Sequence, residues 1–445
     1  MNLYQMLSER AEAGNPIRVG LVGAGRFGAM YLAQARQTRG IHILGIADLN
    51  PQHARNTCSS TGWLEDQISA ASFDQALQRG TTYITDDTES LIKANGLDVL
   101  IEATGDPDAG ILHCLRAIDE GRHMIMVNVE ADAVAGPLLA LKARKAGVIY
   151  SLAYGDQPAI ICEQVDWART SGFQVVSAGK GTRYHPSFHE STPETVWDNY
   201  GLSRETVESG KLNPKIHNSF IDGSKSAIEM TAVCNATGLT PQPGGLGFPP
   251  SSFNDLAELC KPESAGGTLS HSGTTEVVSS IHRDMSQVEN HIKMGTFVVI
   301  EATAEYTRQC IRDYRFFPDR SFRYAAMYRP VHMIGLELGI SVASVVMRRE
   351  PTGSPTVFFS DVVATAKFDL KAGTVIDGEG GYYVWGKQMP ARHSLDIGGL
   401  PLGLSHNARL LVEMKAGQQL RWQDVEIDEN DLAVRIRREM EATFG

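Results

Sequence analysis

Three glycines near the start of the chain have the spacing of a dinucleotide-binding loop. Residues 18–28 read RVGLVGAGRFG, in which Gly23, Gly25 and Gly28 follow a short apolar run and precede a helical pattern. The first glycine permits a tight turn, the second leaves room for a pyrophosphate, and the third lets the helix pack on the strand. Asp48 ends the next apolar run, where a carboxylate binds the ribose of a dinucleotide. The pattern predicts a nicotinamide dinucleotide site; the alternative is a glycine turn of another α/β domain.

Charged residues farther along the chain could move protons during a reaction. Lys180 follows the apolar residues 175–179, and Arg183 comes three positions later, so we expect both at the tip of a strand. Lys225 stands three residues after Asp222 at a predicted helix start, where the two could share one face. A lysine so placed can donate to a carbonyl or alkoxide, or act as a base when desolvated. We predict all four as catalytic residues; the alternative is that they are solvated loop and helix-end charges.

The elements that must position these residues begin with an alternation of strands and helices over residues 17–150. This alternation predicts an α/β fold with a doubly wound parallel sheet of the Rossmann type. The carboxyl ends of the strands should line the cofactor crevice, and polar residues follow two of them near positions 104 and 128. The residues predicted to bind the cofactor are Gly23, Gly25, Arg26, Phe27, Gly28, Asp48, Thr104, Gly105, Asn128 and Glu130.

Changes in pattern divide the chain into four parts. Residues 1–155 form the predicted dinucleotide-binding domain, and residues 156–329 mix helices, strands and long polar loops in a predicted α+β substrate domain. The apolar segment 330–350 predicts a helix that returns to pack on the first domain. Residues 351–445 are rich in short strands and glycines, with a repeated Lys-Ala-Gly turn. We expect this small β-rich module to shape or cover the substrate site without supplying catalytic groups.

Composition limits the partners of the chain. The net charge of −11 argues against general nucleic-acid binding, and neither an apolar leader nor a membrane-spanning run is present in the 445 residues. The six cysteines are scattered without a C-x-x-C pair, which favours reduced thiols over a disulfide framework. We therefore expect a cytoplasmic enzyme with a small-molecule substrate, no nucleic-acid or membrane partner, and assembly into a homo-oligomer.

The middle of the chain carries a more specific resemblance. Residues 178–197, AGKGTRYHPSFHESTPETVW, and residues 218–230, NSFIDGSKSAIEM, lie between two recognisable parts. The N-terminal half resembles homoserine-dehydrogenase-like and glucose-fructose-oxidoreductase-like Rossmann enzymes, and the C-terminal segment resembles a SAF module. Together they resemble the 1-deoxy-D-xylulose 5-phosphate reductoisomerase-like family.

The resemblance implies a reaction, a cofactor and a substrate class. The implied reaction is the NADPH-dependent conversion of 1-deoxy-D-xylulose 5-phosphate to 2-C-methyl-D-erythritol 4-phosphate in isoprenoid precursor synthesis, and hence a phosphorylated substrate. Ordinary reductoisomerases hold a divalent cation with clustered acidic residues. In this chain the acidic candidates Asp132, Asp222 and Glu229 are scattered, so the metal requirement stays open.

The cofactor form and the reaction each keep an alternative. Asp48 should repel a 2′-phosphate and favour NADH, whereas the resemblance implies NADPH, for which Arg26 and Arg55 could supply positive charge. We expect NADPH, with NADH as the alternative. One alternative function is a homoserine-dehydrogenase-like dehydrogenase of a small hydroxy acid or sugar acid, and another is a non-catalytic nucleotide sensor.

Overall fold

The chain forms two compact units, each built from two separate stretches of sequence. A computed structural model describes residues 2–210 and 212–445. The first unit consists of Met1–Ile160 and Met333–Thr356, and the second unit consists of Ile161–His332 and Val357–Gly445. In the described residues no helix has both the length and the apolar character needed to cross a membrane.

The secondary structure consists of strands and helices with short 3-10 turns between them. The strands are β1 Ile17–Val22, β2 Ile41–Ala47, β3 Tyr83–Thr85, β4 Val99–Glu102, β5 His123–Met126, β6 Tyr150–Leu152, β7 Gln174–Thr182, β8 Thr274–Ser279, β9 Thr296–Glu301, β10 Tyr324–Arg329, β11 Ser360–Ala366, β12 Val384–Pro390, β13 Arg409–Leu410 and β14 Val425–Glu426. The helices are α1 Leu3–Glu12, α2 Arg26–Ala35, α3 Pro51–Ser60, α4 Phe73–Arg79, α5 Thr88–Ile92, α6 Pro107–Asp119, α7 Val129–Lys145, α8 Gln157–Thr170, α9 Val196–Tyr200, α10 Arg204–Ser209, α11 Pro214–Asp222, α12 Ser224–Thr237, α13 Leu256–Leu259, α14 Glu305–Tyr314, α15 Gly339–Ala343, then α16 Ala391–Ile397 and α17 Leu432–Phe444.

The first unit contains a six-stranded parallel sheet in the order β3-β2-β1-β4-β5-β6. Its strands are short apolar runs that are buried almost throughout, as expected when helices cover both faces of a parallel sheet. This order confirms the predicted doubly wound α/β fold. The order reverses between β1 and β4, which places the binding crevice at the carboxyl ends of these two strands.

The segment that returns to the first unit is helical over a shorter range than the predicted 330–350. The α-helix α15 covers Gly339–Ala343 and continues as a π-helical turn over Ser344–Arg348. Gly335 has a positive φ of 73° and lies against α2, so the chain turns there and cannot yet be helical. Leu338, Val342 and Val345 then join the apolar core of the first unit.

The second unit is built on a mixed four-stranded sheet in the order β10-β9-β7-β8. Strand β7 is parallel to β8 and antiparallel to β9, so it is hydrogen-bonded on both edges. Val175 and Ala178 of β7 pack into one apolar cluster, while Val176 packs into another. A register shift between Val175 and Ser177 interrupts the alternation, so Val175 and Ala178 face one side and Val176 the other, and the sheet has a core on each face.

The last ninety residues contribute short strands and a helix to the second unit. Strands β11 and β12 pair in antiparallel fashion. The two Lys-Ala-Gly turns lie side by side. Leu370 directly precedes the first turn and Met414 the second, and these two residues exchange backbone hydrogen bonds of 2.8 and 2.9 Å. Helix α17 is attached through Arg437, whose buried guanidinium donates to both carboxylate oxygens of Asp361 at 3.0 and 2.6 Å.

Candidate functional site

The glycine loop of the first unit has backbone geometry that only glycine provides at two of its three positions. Gly23 has a φ of 91°, and a Cβ there would lie 2.7 Å from the carbonyl oxygen of Ala103. A Cβ on Gly28 would lie 2.5 Å from the carbonyl oxygen of Gly23. These contacts hold the loop against β4 and hold α2 against the loop, as the spacing of the motif predicts.

The second glycine leaves open space at the start of α2. Gly25 is the N-cap of this helix, no side chain caps the helix there, and a Cβ on it would meet nothing within 4 Å. The first turn carries no acidic residue, Arg26 is exposed, and Phe27 packs against the core. Uncapped N–H groups at the positive end of a helix, with room in front of them, form an anion-binding cradle.

Asp48 is fixed beside this loop by backbone donors. Its Oδ2 accepts a hydrogen bond from the Ala24 N–H at 2.9 Å, and its Oδ1 accepts one from the Asn50 N–H at 2.9 Å. The carboxylate is therefore held at the carboxyl end of β2 with a small exposed fraction of 14%. Each carboxylate oxygen has further acceptor capacity, which suits ribose hydroxyl groups.

The other predicted cofactor residues lie at the carboxyl ends of β4 and β5. Thr104 and Gly105 form an exposed turn after β4, and Gly105 has a φ of 74°. Asn128 is buried and ties two elements together: its Nδ2 donates to the Asp106 carbonyl oxygen at 2.7 Å, and its Oδ1 accepts from the Ala131 N–H at 3.0 Å. Glu130 lies half-buried in the first turn of α7. The crevice therefore fits a nicotinamide dinucleotide, although its residues' contacts with one stay a prediction.

Lys180 lies inside a strand, not at the strand tip that the sequence predicts. Strand β7 continues to Thr182 because Gly179 and Gly181 let neighbouring carbonyl oxygens approach closely, which a Cβ would prevent. The Lys180 side chain is 6% exposed, and its ammonium contacts the Glu229 carboxylate of α12 directly. In the sequence, Glu229 is only one of three scattered acidic residues, because no local pattern indicates that it pairs with Lys180.

Asp222 and Lys225 lie on different helices and not on one face of the same helix. Asp222 is the last residue of α11, Gly223 with a φ of 95° breaks the helix, and Lys225 is the half-buried second residue of α12. The partner of Asp222 is Lys367, whose Nζ lies 2.8 Å from Oδ2 with both side chains fully buried. Lys367 also donates to the Ser191 carbonyl oxygen at 2.6 Å.

Arg183 follows β7, as predicted, but its side chain supports the local structure. Its Nε donates to the Asn199 carbonyl oxygen at 2.9 Å, and its guanidinium lies 6.0 Å from the ring centre of Phe188. These contacts tie the polar region after β7 together. The catalytic assignments of Lys180, Arg183, Asp222 and Lys225 stay predictions.

His189 joins Asp222 to an aromatic cluster that the sequence does not indicate. Its Nδ1–H donates to the Asp222 carbonyl oxygen at 2.7 Å, so its Nε2 accepts from the Tyr184 hydroxyl at 2.8 Å. The ring stacks on Trp385 at 3.7 Å. Burial lowers the pKa of His189 and raises the pKa of Tyr184 to about 12, so the imidazole is neutral and the hydroxyl keeps its proton.

The three acidic residues considered as metal ligands have separate partners. Asp132 accepts from the Tyr150 hydroxyl at 2.7 Å, Asp222 pairs with Lys367, and Glu229 pairs with Lys180. Across residues 2–210 and 212–445, His, Cys, Asp and Glu side chains form no group of three or more that could hold a metal ion. These carboxylates therefore do not provide a shared metal site.

Comparison with known families identifies the enzyme class. Residues 155–338, less than half of the chain, match the family model described as "Oxidoreductase DRL, catalytic domain". This match confirms the prediction of an oxidoreductase. The model ends before residue 351, so it gives no support to the predicted SAF-like module. No curated protein matches the sequence significantly.

The family match also corrects the resemblance drawn from the sequence. The matched model describes an oxidoreductase catalytic domain, which is a different family from the 1-deoxy-D-xylulose 5-phosphate reductoisomerase-like one. The expected family is therefore wrong. The resemblance was the basis for the reductoisomerase reaction, its role in isoprenoid synthesis and the phosphorylated substrate. These three expectations therefore no longer have that support.

Several solved structures of dehydrogenases and reductases are similar to the chain at low identity. A probable dehydrogenase from Thermotoga maritima has 13% identity and a TM-score of 0.37, covering 75% of this chain and 90% of that one. Myo-inositol dehydrogenase from Lactobacillus casei, in complex with NAD(H) and myo-inositol, has 12% identity and a TM-score of 0.29, covering 41% and 50%. Biliverdin reductase from Synechocystis, in complex with biliverdin and NADP+, has 15% identity and a TM-score of 0.27, covering 38% and 48%. The chain spans about half the length of the latter two, and these scores carry no conclusion about its substrate.

Proposed function

We propose that this chain is an NAD(H)-dependent dehydrogenase of a small hydroxy acid or sugar acid. The observation that carries the proposal is the loop of Gly23–Gly28, closed by the hydrogen bond from the Ala24 N–H to Asp48 and open in front of α2. This cradle stands in a chain whose middle segment matches an oxidoreductase catalytic domain. A bound nicotinamide would accept or deliver the hydride of such a reaction.

The position of Asp48 favours NAD(H) over NADP(H). A carboxylate held at the carboxyl end of β2 accepts hydrogen bonds from the ribose hydroxyls and repels a 2′-phosphate. Arg55, which could have offset this charge, donates to the Ile68 carbonyl oxygen at 3.1 Å. The expectation of NADPH came from the overturned resemblance, and the position of Asp48 supports NAD(H) instead.

Lys180 is the residue best suited to exchange a proton with the substrate. Reduction of a carbonyl adds a proton to its oxygen as well as a hydride to its carbon, so the reaction in that direction needs a general acid; in the direction of oxidation the same group takes the proton back. Lys180 is nearly buried beside Glu229 within the matched catalytic segment. The side chains of Asp222 and its partner Lys367 are both fully buried and cannot reach a substrate, which favours a positioning role for that carboxylate.

Cofactor binding is tested by filling the open space at Gly25. The variant Gly25→Val places a side chain where the pyrophosphate would approach, and its Cβ would meet no protein atom within 4 Å. We expect the affinity for NADH to fall by at least about tenfold with unchanged thermal stability. Gly244→Val is the matched control, because Gly244 also has open space around its Cβ position. Equal NADH affinity in wild type and Gly25→Val would contradict the proposed site.

Turnover is tested by replacing Lys180. A panel of hydroxy acids and sugar acids is incubated with NAD+, and NADH formation is followed by absorbance. We expect Lys180→Met to lower kcat by about 10²–10⁴-fold with unchanged NADH affinity. Lys261→Met is the matched control, because Lys261 forms a similar buried pair with Asp319 at 2.9 Å. Binding of NADH without turnover of any substrate would instead favour the nucleotide sensor.

A further inference from the structure

Glu102 is a fully buried carboxylate at the carboxyl end of β4. Its Oε1 accepts hydrogen bonds from the Thr104 hydroxyl at 2.5 Å and from the Thr104 N–H at 3.3 Å, and it lies 3.4 Å from Nδ1 of His113. Among the described residues its Oε2 has no hydrogen-bond partner. Burying a carboxylate costs free energy of desolvation, and the hydrogen bonds to the Thr104 turn offset only part of that cost.

The turn that Glu102 holds is also held from a second side. Asn128 lies 2.7 Å from the Asp106 carbonyl oxygen and 3.4 Å from the Thr104 hydroxyl. On its other face the turn meets the glycine loop, because a Cβ on Gly23 would lie 3.1 Å from the Thr104 nitrogen. The exposed residues Thr104 and Gly105 are therefore fixed directly beside the dinucleotide cradle.

The sheet order assigns this turn to one half of the ligand. A dinucleotide lies across the point where the strand order reverses, between β1 and β4. Asp48, at the end of β2, lies on the adenosine side of this point. Thr104, at the end of β4, lies on the other side, where the nicotinamide half would be placed.

We infer that Glu102 is a positioning residue for the nicotinamide half of the dinucleotide site, acting through the Thr104 turn. This inference rests on the proposed function. Glu102 does not touch the ligand; it fixes the hydroxyl and the N–H of Thr104, and thereby the backbone of the turn, before the ligand arrives. Preorganised groups bind more tightly because less ordering remains to be done on binding.

The surroundings of Glu102 allow its charge to be removed without unfolding the chain. Four side chains lie around it: His113 and Cys114 of α6, Asp132 of α7 and Tyr150 of β6. Cys114 and Tyr150 each interact electrostatically with both carboxyl groups, Glu102 and Asp132. Because these neighbours include a second buried carboxyl group and no lysine or arginine, Glu102→Gln removes a buried negative charge from a site that already holds another carboxyl group. We therefore expect this variant to fold.

The test compares two ligands that differ only in the nicotinamide ring. NAD+ and ADP-ribose are titrated against the full chain as wild type, Glu102→Gln, Thr104→Val and Thr104→Ser. We expect Glu102→Gln and Thr104→Val to weaken NAD+ binding by about tenfold, the loss of one hydrogen bond to a charged group, and to leave ADP-ribose binding within about twofold. Thr104→Ser keeps the hydroxyl and should keep wild-type affinity for both ligands.

The matched control is Asp98→Asn, at the residue immediately before the opposite end of the same strand. Asp98 also accepts a backbone hydrogen bond, from Arg18 N–H at 2.8 Å, so its replacement perturbs β4 away from the crevice. The ratio of NAD+ to ADP-ribose affinity should not change in this variant. An unchanged ratio of NAD+ to ADP-ribose affinity in Glu102→Gln and Thr104→Val would overturn this inference and leave the proposed function standing. A wild-type chain that binds neither ligand would overturn the proposed function itself.

Discussion

The two units present their polar groups in different ways. In the first unit the candidate ligand groups are backbone atoms of an open loop, arranged by glycines and by one carboxylate within a short stretch of sequence. In the second unit, four pairs of charged side chains are buried between distant parts of the chain. These pairs are Lys180–Glu229, Lys261–Asp319, Lys367–Asp222 and Arg437–Asp361. A site made of local backbone can be recognised from a motif, whereas a site made of long-range pairs becomes visible only in the folded unit.

The largest effect should follow from removing one member of a buried pair. Lys367→Met leaves the Asp222 carboxylate buried without its cation, so we expect the free energy of unfolding to fall by about 3–5 kcal/mol. Denaturant unfolding measures this change. The exposed pair of Lys415 and Asp369 is the control, and Lys415→Met should leave the unfolding midpoint nearly unchanged. Equal losses in the two variants would remove the distinction between buried and exposed charge.

A smaller effect should separate two glycines of the same loop. Gly23→Ala forces a side chain into a left-handed backbone and against the Ala103 carbonyl oxygen, so we expect a loss of about 1–3 kcal/mol of stability together with weaker NADH binding. Gly25→Ala should leave stability unchanged, because its Cβ position is open. Thermal unfolding with and without NADH measures both effects. Equal stabilities of the two variants would contradict the assigned roles.

The last effect is a change of slope with pH and not a loss of stability at one pH. Burial raises the pKa of Asp132 to about 7, well above that of an unfolded aspartate. The folded state therefore binds this proton more tightly, and Asp132 makes the free energy of unfolding fall as pH rises from about 4 to 7, by up to about 1.4 kcal/mol per pH unit, with no further change above pH 7. Denaturant unfolding across this range should show a smaller slope in Asp132→Asn.

Glu276 in the second unit provides the comparison for that slope. Burial raises its pKa to about 7 as well, but N–H groups of Gly247, Phe248 and Val277 and the amide of Gln242 donate to its carboxylate. Asp132 receives a hydrogen bond from the Tyr150 hydroxyl. These donors are already part of the pKa of about 7, so the difference lies in the ordinary pKa, 4.5 for the glutamate and 3.8 for the aspartate. Glu276→Gln should therefore remove the slope over a narrower pH range than Asp132→Asn, and a wider range in Glu276→Gln would contradict this comparison.

The sequence could predict the first unit because its signals are local. The strand before Gly23, the three glycines, the start of α2 and the position of Asp48 all follow from neighbouring residues. The same reasoning misplaces Lys180, because glycines at 179 and 181 resemble a turn. In the folded chain they instead allow close contact between strands.

The partners of the second unit were beyond sequence reasoning for a similar reason. Asp222 and Lys225 have the spacing of a helix pair, yet Gly223 separates two helices, and the cation that reaches Asp222 comes from Lys367. No periodicity links positions so far apart in the chain. Lys367 directly follows the buried strand β11, and a lysine in that position is a local sign of a buried charge that needs a partner.

The discontinuity of both units has a consequence during synthesis on the ribosome. The core of the first unit includes Leu338, Val342 and Val345, so it can close only after these residues have emerged. The stretch Ile161–His332 emerges earlier but receives Lys367 and β11 later still. The first unit can therefore finish folding while this stretch waits with Asp222 unpaired and apolar surface exposed. That interval is when the nascent chain is most dependent on chaperones and most prone to aggregate.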